Sequence, residues 1–317
     1  MLGPVVLGID FGGTKTALAV VDLEGTRLGS VTVETLAEEG AAAGFGRAVS
    51  AGRALLAEAA PARPLAAVGV ATIGIPGADG VALAPNIPGW SELPLETLLL
   101  RAFEGAEIRL ATDVKAAARM EAETGALTGC DPAVYLNLGT GLAMCVIVGG
   151  EVLAGFNGAS GEIGYNLRRV ADVGRALDDR VPLEDTVSGK ALLARAAPYL
   201  PGGGGAEDLF ALAGHDPRLA GILDEFLTEL AFHLVNLTIA IDPQRIAVGG
   251  GMVRSWPALH DRLRRALDAA VPYPPDLVPA AHPYDAPLLG ALALGLAAAR
   301  DSPARVVVNR TAQRSAH

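Results

Sequence analysis

The sequence has few of the features that mark nucleic-acid-binding, membrane-spanning or disulfide-rich proteins. It has only two cysteines in 317 residues, and its net charge of −10 argues against the basic surface that binding to phosphate backbones requires. The apolar run at 286–299 is shorter than the roughly 20 residues that cross a bilayer. The first residues carry no basic cluster of the kind that opens a secretory signal. We therefore expect a cytoplasmic protein with reduced cysteines, no nucleic-acid partner and no membrane segment.

Aromatic residues and lysines are also scarce. Aromatics make up 4 % of the residues and apolar residues 51 %, so alanine, valine, leucine and isoleucine must form most of the core. The three lysines are Lys15, Lys115 and Lys190. Lys15 lies inside the glycine-rich motif "DFGGTK" at 10–15, which makes it a candidate functional residue.

Apolar runs alternate with glycine-rich turns and helical patterns along the chain. Residues 4–9 and 16–22 predict two strands joined by the first glycine turn. The stretch at 133–155 has the same order of strand, glycine turn and strand, which indicates a weak internal repeat. Residues 219–241 are apolar almost all round and predict a buried helix.

This alternation of strands and helices predicts an α/β fold with two lobes and a ligand cleft between them. The predicted division has four parts: an N-terminal lobe at 1–112, a C-terminal helix at 287–300 that joins this lobe, a second lobe at 113–286, and a flexible tail at 301–317.

The glycine clusters are candidate phosphate-binding loops. A turn without Cβ atoms can point backbone N–H groups at phosphate, and Thr14 and Lys15 would add a hydroxyl and a positive charge. The same glycines also suit an ordinary hairpin, so the first motif alone leaves both interpretations open. Two further clusters in the same order favour nucleotide binding. The candidate nucleotide- and phosphate-binding residues are Asp10, Gly12, Gly13, Thr14, Lys15, Gly139, Thr140, Gly141, Gly249, Gly250 and Gly251, and Asp10 would also hold Mg²⁺ through water.

Eight short segments, taken in order, resemble the ROK family of sugar kinases. They are "DFGGTK" (10–15), "GIPG" (74–77), "PNIPGW" (85–90), "TD" (112–113), "LGTG" (138–141), "GASGEIGY" (158–165), "LEDTVSG" (183–189) and "VGGGM" (248–252). The resemblance covers nearly the whole chain. It implies a two-lobed actin/hexokinase-like (ribonuclease H-like) ATPase fold with an interlobe cleft, and transfer of the ATP γ-phosphoryl group to a sugar hydroxyl.

The resemblance also implies roles for individual residues. Asp113 matches the catalytic base, which would accept the proton of the attacking hydroxyl; its alternative role is to cap the helix that begins at Val114. A solvated loop charge is the alternative for Glu184, and Trp90 is expected to be a packing residue. The candidate substrate-binding residues are Gly77, Asn86, Thr112, Asp113, Glu162, Tyr165 and Glu184.

The chain departs from the family pattern in three respects. Relatives usually have Asn at position 112 and His at position 165, where this chain has Thr and Tyr. In many relatives that His and three cysteines bind a structural zinc ion, but residues 172–185 contain no cysteine. Because a tetrahedral zinc site needs four N or S ligands, we predict no zinc. We expect Arg–Asp pairs from "GRALDDR" (174–180) to hold this loop instead.

The leading hypothesis is therefore an ATP- and Mg²⁺-dependent, glucokinase-like kinase for a hexose or amino sugar, and we expect a homodimer because relatives are often dimers. The alternatives are a non-catalytic sugar- or nucleotide-binding protein, a kinase for an N-acetylhexosamine or another sugar, and a polyphosphate-dependent kinase. A sugar-responsive repressor is disfavoured, because we expect no room for a DNA-binding domain before Asp10.

Overall fold

The computed structural model describes residues 3–84 and 87–300, which form two compact units. Of the described residues, the first unit contains those up to Met120, Ala154–Ala159 and those from Asp285 onward; the second contains Glu121–Leu153 and Ser160–Tyr284. The division after Met120 falls inside a helix, eight residues beyond the boundary that we predicted at 112. The predicted tail at 301–317 and the predicted site residue Asn86 lie outside the described residues.

The helices and strands follow one another along the chain in a mixed α/β order. The strands are β1 (Val5–Phe11), β2 (Lys15–Asp22), β3 (Arg27–Glu34), β4 (Leu65–Thr72), β5 (Ile75–Pro76), β6 (Val81–Ala82), β7 (Glu107–Thr112), β8 (Ala133–Leu138), β9 (Leu142–Val148), β10 (Glu151–Val152), β11 (Arg245–Gly249) and β12 (Asp276–Pro279). The α-helices are α1 (Ala41–Ala59), α2 (Leu95–Ala102), α3 (Asp113–Thr124), α4 (Gly189–Ala196), α5 (Ala206–Leu212), α6 (Pro217–Ile241), α7 (Trp256–Ala270) and α8 (Ala286–Ala299).

The first unit is built on a sheet with the strand order β3-β2-β1-β4-β7. Strands β1, β2 and β3 form antiparallel pairs, whereas β4 and β7 run parallel to β1. In this register Phe11 lies opposite Thr72, and Thr72 lies opposite Thr112. The carboxyl ends of the three parallel strands therefore meet at one edge of the sheet, which is where α/β proteins bind ligands.

Helix α8 packs closely against β1 and β4. A Cβ placed on Gly69 of β4 would lie 1.8 Å from the carbonyl oxygen of Ala291. The contact therefore requires glycine at position 69, because only a residue without a Cβ allows the two backbones to come this close. Since Leu292 contacts Gly8 and Gly295 contacts Val6, the N-terminal end of α8 points toward the carboxyl end of β1.

Trp90 belongs to the core of the first unit, as predicted. Its side chain is 1 % exposed and its ring centroid lies 5.3 Å from that of Phe11. The indole Nε1 donates a hydrogen bond of 3.2 Å to the hydroxyl of Thr72, so the polar atom of this buried side chain is satisfied.

The second unit repeats the strand order of the first. Its sheet has the order β10-β9-β8-β11-β12, with β9 antiparallel and β11 parallel to β8. The internal repeat expected from residues 133–155 is therefore confirmed. Helices α6 and α7 contribute buried leucines to the core of this unit, among them Leu230, Leu263 and Leu267.

Helix α6 is not buried on all sides, so our prediction for 219–241 was wrong in this respect. Phe226, Leu230 and His233 are buried, but Phe232 is 58 % exposed and Ile239 is 51 % exposed. The apolar residues surround the helix, whereas the core of the unit covers only one side of it. Among the described residues, no helix combines the length and the apolar character that a membrane span requires.

Candidate active site

The first glycine motif forms a tight turn between β1 and β2. The Gly12 N–H donates to the carbonyl oxygen of Lys15 at 3.1 Å, and a Cβ on Gly12 would lie 2.7 Å from that oxygen. Gly13, Thr14 and Lys15 are exposed. Three exposed residues of this turn therefore carry a hydroxyl, an ammonium group and little side-chain bulk around the backbone, which suits a phosphate-binding loop.

Thr35, which the sequence reasoning missed, supports this turn from the end of β3. Its hydroxyl donates to the carbonyl oxygen of Gly12 at 2.7 Å, and its N–H donates to the carbonyl oxygen of Thr14 at 2.8 Å. Thr35 is buried and lies 20 residues beyond the end of the motif. A buried threonine after a strand carries no signal in the sequence that would have distinguished it.

Carboxylates of the first unit lie close enough to one another to change their protonation. The pKa of Asp10 is raised to about 7, first because the carboxyl is buried and then because of the negative charge of Asp113. Asp285 raises it further, whereas Lys15 lowers it. Sequence reasoning missed Asp285, which immediately precedes α8 and shows no link to the glycine motif along the chain.

Asp113 is the first residue of α3, directly after the end of β7. Its Oδ1 accepts a hydrogen bond of 2.8 Å from the N–H of Val114. The residue that caps the helix is Thr112: its hydroxyl accepts from the N–H of Lys115, three residues later, at 3.2 Å. The helix therefore begins one residue earlier than we predicted, and Thr112, 4 % exposed, takes the capping role that we considered for Asp113.

In the second unit the structure brings two predicted glycine clusters together. The turn of Gly139, Thr140 and Gly141 closes through a hydrogen bond of 3.1 Å from the Gly139 N–H to the carbonyl oxygen of Gly141. Gly250 packs against this turn with φ 87°, and a Cβ on it would lie 2.6 Å from the carbonyl of Leu138. Glycine is required at position 250 both by this close approach and by its positive φ.

The remaining glycines near this turn differ in their surroundings. Gly189, at the start of α4, donates its N–H to the carbonyl oxygen of Gly139 at 2.8 Å and was not among our predicted residues. Gly249 lies over the ring of buried Tyr135, whereas a Cβ on Gly251 would have no atom within 4 Å.

Three predicted sugar-binding residues lie in neighbouring turns of the second unit. Glu184 is half-buried, and its Oε2 accepts a hydrogen bond of 2.7 Å from the N–H of Leu142, so it is not merely a solvated loop charge. Burial raises the pKa of Tyr165, and the negative charges of Glu184 and Glu162 raise it further. The phenol of Tyr165 is therefore close enough to both carboxylates to be affected by their charge.

Gly77, which we predicted to bind the sugar, lies in the hairpin of β5 and β6 in the first unit. Its N–H donates to the carbonyl oxygen of Gly80 at 2.8 Å, which closes the turn. Each unit, considered separately, therefore contains both a glycine turn and carboxylates among the predicted site residues.

Comparison with known proteins identifies the family. The sequence model of the ROK family matches residues 6–298. The kanosamine kinase of Amycolatopsis mediterranei is 31 % identical over 313 residues, which cover 95 % of this chain and 99 % of that protein. The structure of the ROK hexokinase from Thermus thermophilus matches with a TM-score of 0.74 at 30 % identity, covering 94 % of this chain and 99 % of the other.

A ROK glucokinase from Streptomyces griseus, determined in complex with glucose and AMPPNP, has a TM-score of 0.73 at 28 % identity and covers 92 % of this chain and 98 % of its own. The fold and these relatives show that the protein is a carbohydrate kinase with the predicted α/β, actin/hexokinase-like fold. Within that class, the chain belongs to the ROK family.

Proposed function

We propose that this protein transfers the γ-phosphoryl group of ATP to a hydroxyl of a hexose or amino sugar, with Asp113 as the general base. The observation that carries the proposal is the position of Asp113 at the carboxyl edge of the parallel strands. There it lies close enough to Asp10, which precedes the first glycine turn, for its negative charge to add to the effect of burial on the pKa of Asp10. A carboxylate next to a phosphate-binding turn can accept the proton of an attacking hydroxyl while the turn orients the phosphates.

The glycine turns of both units are proposed to bind ATP. Gly12, Gly13, Thr14 and Lys15 would bind phosphate in the first unit, and the glycine cluster of residues 139–141 and 249–251 would bind nucleotide in the second. The exposure of Gly13, Thr14 and Lys15 in the first turn and the close packing of Gly250 on the second support this assignment. The AMPPNP in the complex of the Streptomyces griseus glucokinase agrees with ATP as donor.

The residues around Asp10 suit Mg²⁺. This ion usually keeps several waters and is bound by one or two carboxylates together with substrate phosphates, so it needs no cage of protein ligands. The described residues contain no group of three or more His, Cys, Asp and Glu side chains placed to hold a metal ion. Burial, and after it the negative charge of Asp113, raises the pKa of Asp10, and a bound cation would oppose both effects by favouring the carboxylate. Bound there with ATP, Mg²⁺ would neutralise charge on the phosphates, and we propose Asp10 as the residue that holds it through water.

The acceptor is proposed to bind through Gly77, Asn86, Thr112, Asp113, Glu162, Tyr165 and Glu184. Carboxylates that accept hydrogen bonds from neighbouring hydroxyls suit a sugar, and the relatives include a kanosamine kinase, an N-acetyl-D-glucosamine kinase and a glucokinase. Since Thr112 and Tyr165 differ from the usual family residues, we propose the class of a hexose or amino sugar and not glucose in particular. A homodimer and a cytoplasmic location stay predictions.

Release of ADP, measured with a coupled assay over glucose, a free amino sugar and N-acetylhexosamines, tests this function. We expect sugar-dependent turnover that falls about 10²- to 10⁴-fold in Asp113→Asn, because a general base contributes about that much. Glu107→Gln, which changes an exposed carboxylate on the strand before Asp113, is the matched control and should keep wild-type turnover. Turnover that survives Asp113→Asn would reject the base, and sugar binding without turnover would favour the non-catalytic alternative.

A further inference from the structure

The segment of residues 166–182 joins two turns of the proposed sugar site. It leaves the turn Ile163–Tyr165, which follows Glu162, and enters the turn Leu183–Asp185, which contains Glu184. These turns are packed together, since a Cβ on Gly164 would lie 3.1 Å from the Cβ of Glu184. Any change in the path of this connecting segment is therefore expected to displace residues on which sugar binding depends.

One arginine ties the two ends of the connecting segment to each other. The Arg180 Nη2 donates to the carbonyl oxygen of Tyr165 at 2.7 Å, and its Nη1 donates to the carbonyl oxygen of Asn166 at 3.2 Å. A guanidinium group is planar and carries its donors in a fixed fork, so it can bond two successive carbonyl groups at once. Arg180 thereby fixes the backbone at the residue that stands in place of the family histidine.

A buried carboxylate holds the middle of the segment. The side chain of Asp172 is 3 % exposed, and its Oδ1 lies 3.3 Å from the Nε of Arg169 and 3.6 Å from the Nη1 of Arg175. Our expectation of Arg–Asp pairs from residues 174–180 is met by Arg175 but not by Arg180. Arg175 pairs with an aspartate that precedes this stretch, and Arg180 bonds carbonyl oxygens instead of a carboxylate. The reason is that the segment folds back on itself, which brings Arg175 to Asp172 and Arg180 to the carbonyl groups of Tyr165 and Asn166.

The segment is also attached to the body of its unit. Arg168 forms a two-pronged ion pair with Glu229 of α6, with its Nε 2.5 Å from Oε1 and its Nη2 3.1 Å from Oε2. Such paired bonds fix orientation as well as distance. Three sets of arginine contacts therefore hold a segment that has only single helical turns of its own.

Zinc does not fit this part of the chain. The family site uses a histidine and three cysteines, whereas residues 158–190 contain neither residue type. Carbonyl oxygens already bonded to a guanidinium group do not replace such a ligand set.

We propose that Arg180 is a positioning residue that replaces the structural zinc of relatives: it fixes the backbone of Tyr165 and so the sugar-binding face formed with Glu162 and Glu184. This proposal rests on the proposed function for its effect on sugar binding, but the contacts of Arg180 can be tested without any activity. Lysine cannot reproduce the fork of a guanidinium group, so Arg180→Lys is expected to rescue only part of what Arg180→Met loses.

The test combines hydrogen exchange with steady-state kinetics in the full chain. Wild type, Arg180→Met and Arg180→Lys are compared with Arg218→Met, which removes an exposed arginine paired with Asp216 in the same unit. In Arg180→Met we expect amide exchange across 165–180 and the KM for sugar to rise about tenfold or more, because hydrogen bonds to a charged group are lost. We expect kcat and the KM for ATP to change less than about twofold, since the hydrogen bonds of Arg180 go to the backbone carbonyl groups of Tyr165 and Asn166. Arg180→Lys should fall between wild type and Arg180→Met, and Arg218→Met should match wild type.

A zinc chelator distinguishes a segment that is held by arginine contacts from one that is held by a bound zinc ion. We expect it to change neither the exchange at 165–180 nor the KM for sugar in wild type. A chelator effect that reproduces Arg180→Met, or wild-type exchange and KM in Arg180→Met, would overturn the proposal. If wild type shows no sugar-dependent ADP release at all, the proposed function fails, and the exchange comparison alone then decides whether Arg180 holds the segment.

Discussion

Replacing His233 with leucine is expected to stabilise the second unit, and the gain should depend on pH. His233 is 5 % exposed on α6, and its Nε2 is buried without a hydrogen-bond partner. Its surroundings are apolar, with Leu136, Met144 and Ile163 among the residues that line the same cavity. A buried polar atom without a partner costs about 1 to 3 kcal/mol, so His233→Leu should gain a free energy of unfolding of that order at pH 7.5.

The pH dependence follows from the titration of the same side chain. Burial lowers the pKa of His233 below 6.5, and Arg168 lowers it further, whereas Glu229 acts in the opposite direction. Below pH 6.5 the unfolded chain therefore binds a proton that the folded protein does not bind. The contribution of neutral His233 to the free energy of unfolding is fully present above this pH. As the pH falls below it, the wild-type free energy of unfolding decreases by up to about 1.4 kcal/mol per pH unit, until the folded pKa is reached.

Urea unfolding at pH 7.5 and pH 5.5 measures both effects. The advantage of His233→Leu should grow by up to about 1.4 kcal/mol at the lower pH. His233→Gln, which keeps a buried polar group but cannot titrate, should lose the pH dependence without the gain at pH 7.5. His215→Leu changes an exposed histidine and should show neither effect. A loss of stability in His233→Leu at pH 7.5, together with an unchanged pH dependence, would refute the reasoning.

Two glycine substitutions probe close contacts within single units. Gly69→Ala should lower the free energy of unfolding by about 3 kcal/mol or more, because the new Cβ would lie 1.8 Å from the backbone oxygen of Ala291 and α8 would have to move. The control is Gly46→Ala, on the exposed side of α1, where a new Cβ would have no atom within 4 Å. It should leave the free energy of unfolding unchanged or raise it by up to about 1 kcal/mol, and thermal unfolding measures both variants. Equal melting temperatures for the two variants would contradict this account. Gly141→Ala would place a Cβ 2.5 Å from the Oε2 of Glu184 and displace it from the N–H of Leu142. We expect the KM for sugar to rise about tenfold with little loss of stability, because Glu184 can move without disturbing the core; an unchanged KM would argue against Glu184 as a sugar ligand.

Local patterns in the sequence determined the fold class and the places of the glycine turns. Strand, turn and strand were predicted twice because apolar alternation and glycine turns act over a few neighbouring residues. The same locality explains the two errors near helices. The start of α3 depended on which of two adjacent residues accepts the hydrogen bond from Lys115, and the exposure of α6 depended on how much of its surface the core of the unit covers.

The sequence by itself therefore determined that the chain forms two similar α/β units with glycine turns at the ends of strands, and its motifs were enough to identify the ROK family. Only the tertiary structure decided that Asp285 acts on Asp10, that Thr35 supports the first turn and that Arg180 closes the segment behind Tyr165. Each of these contacts joins residues separated by 15 or more positions, and an arginine or threonine that makes such a contact looks like any other along the chain. The physical reason is that the folded backbone, and not the neighbouring sequence, brings a donor and its acceptor within reach.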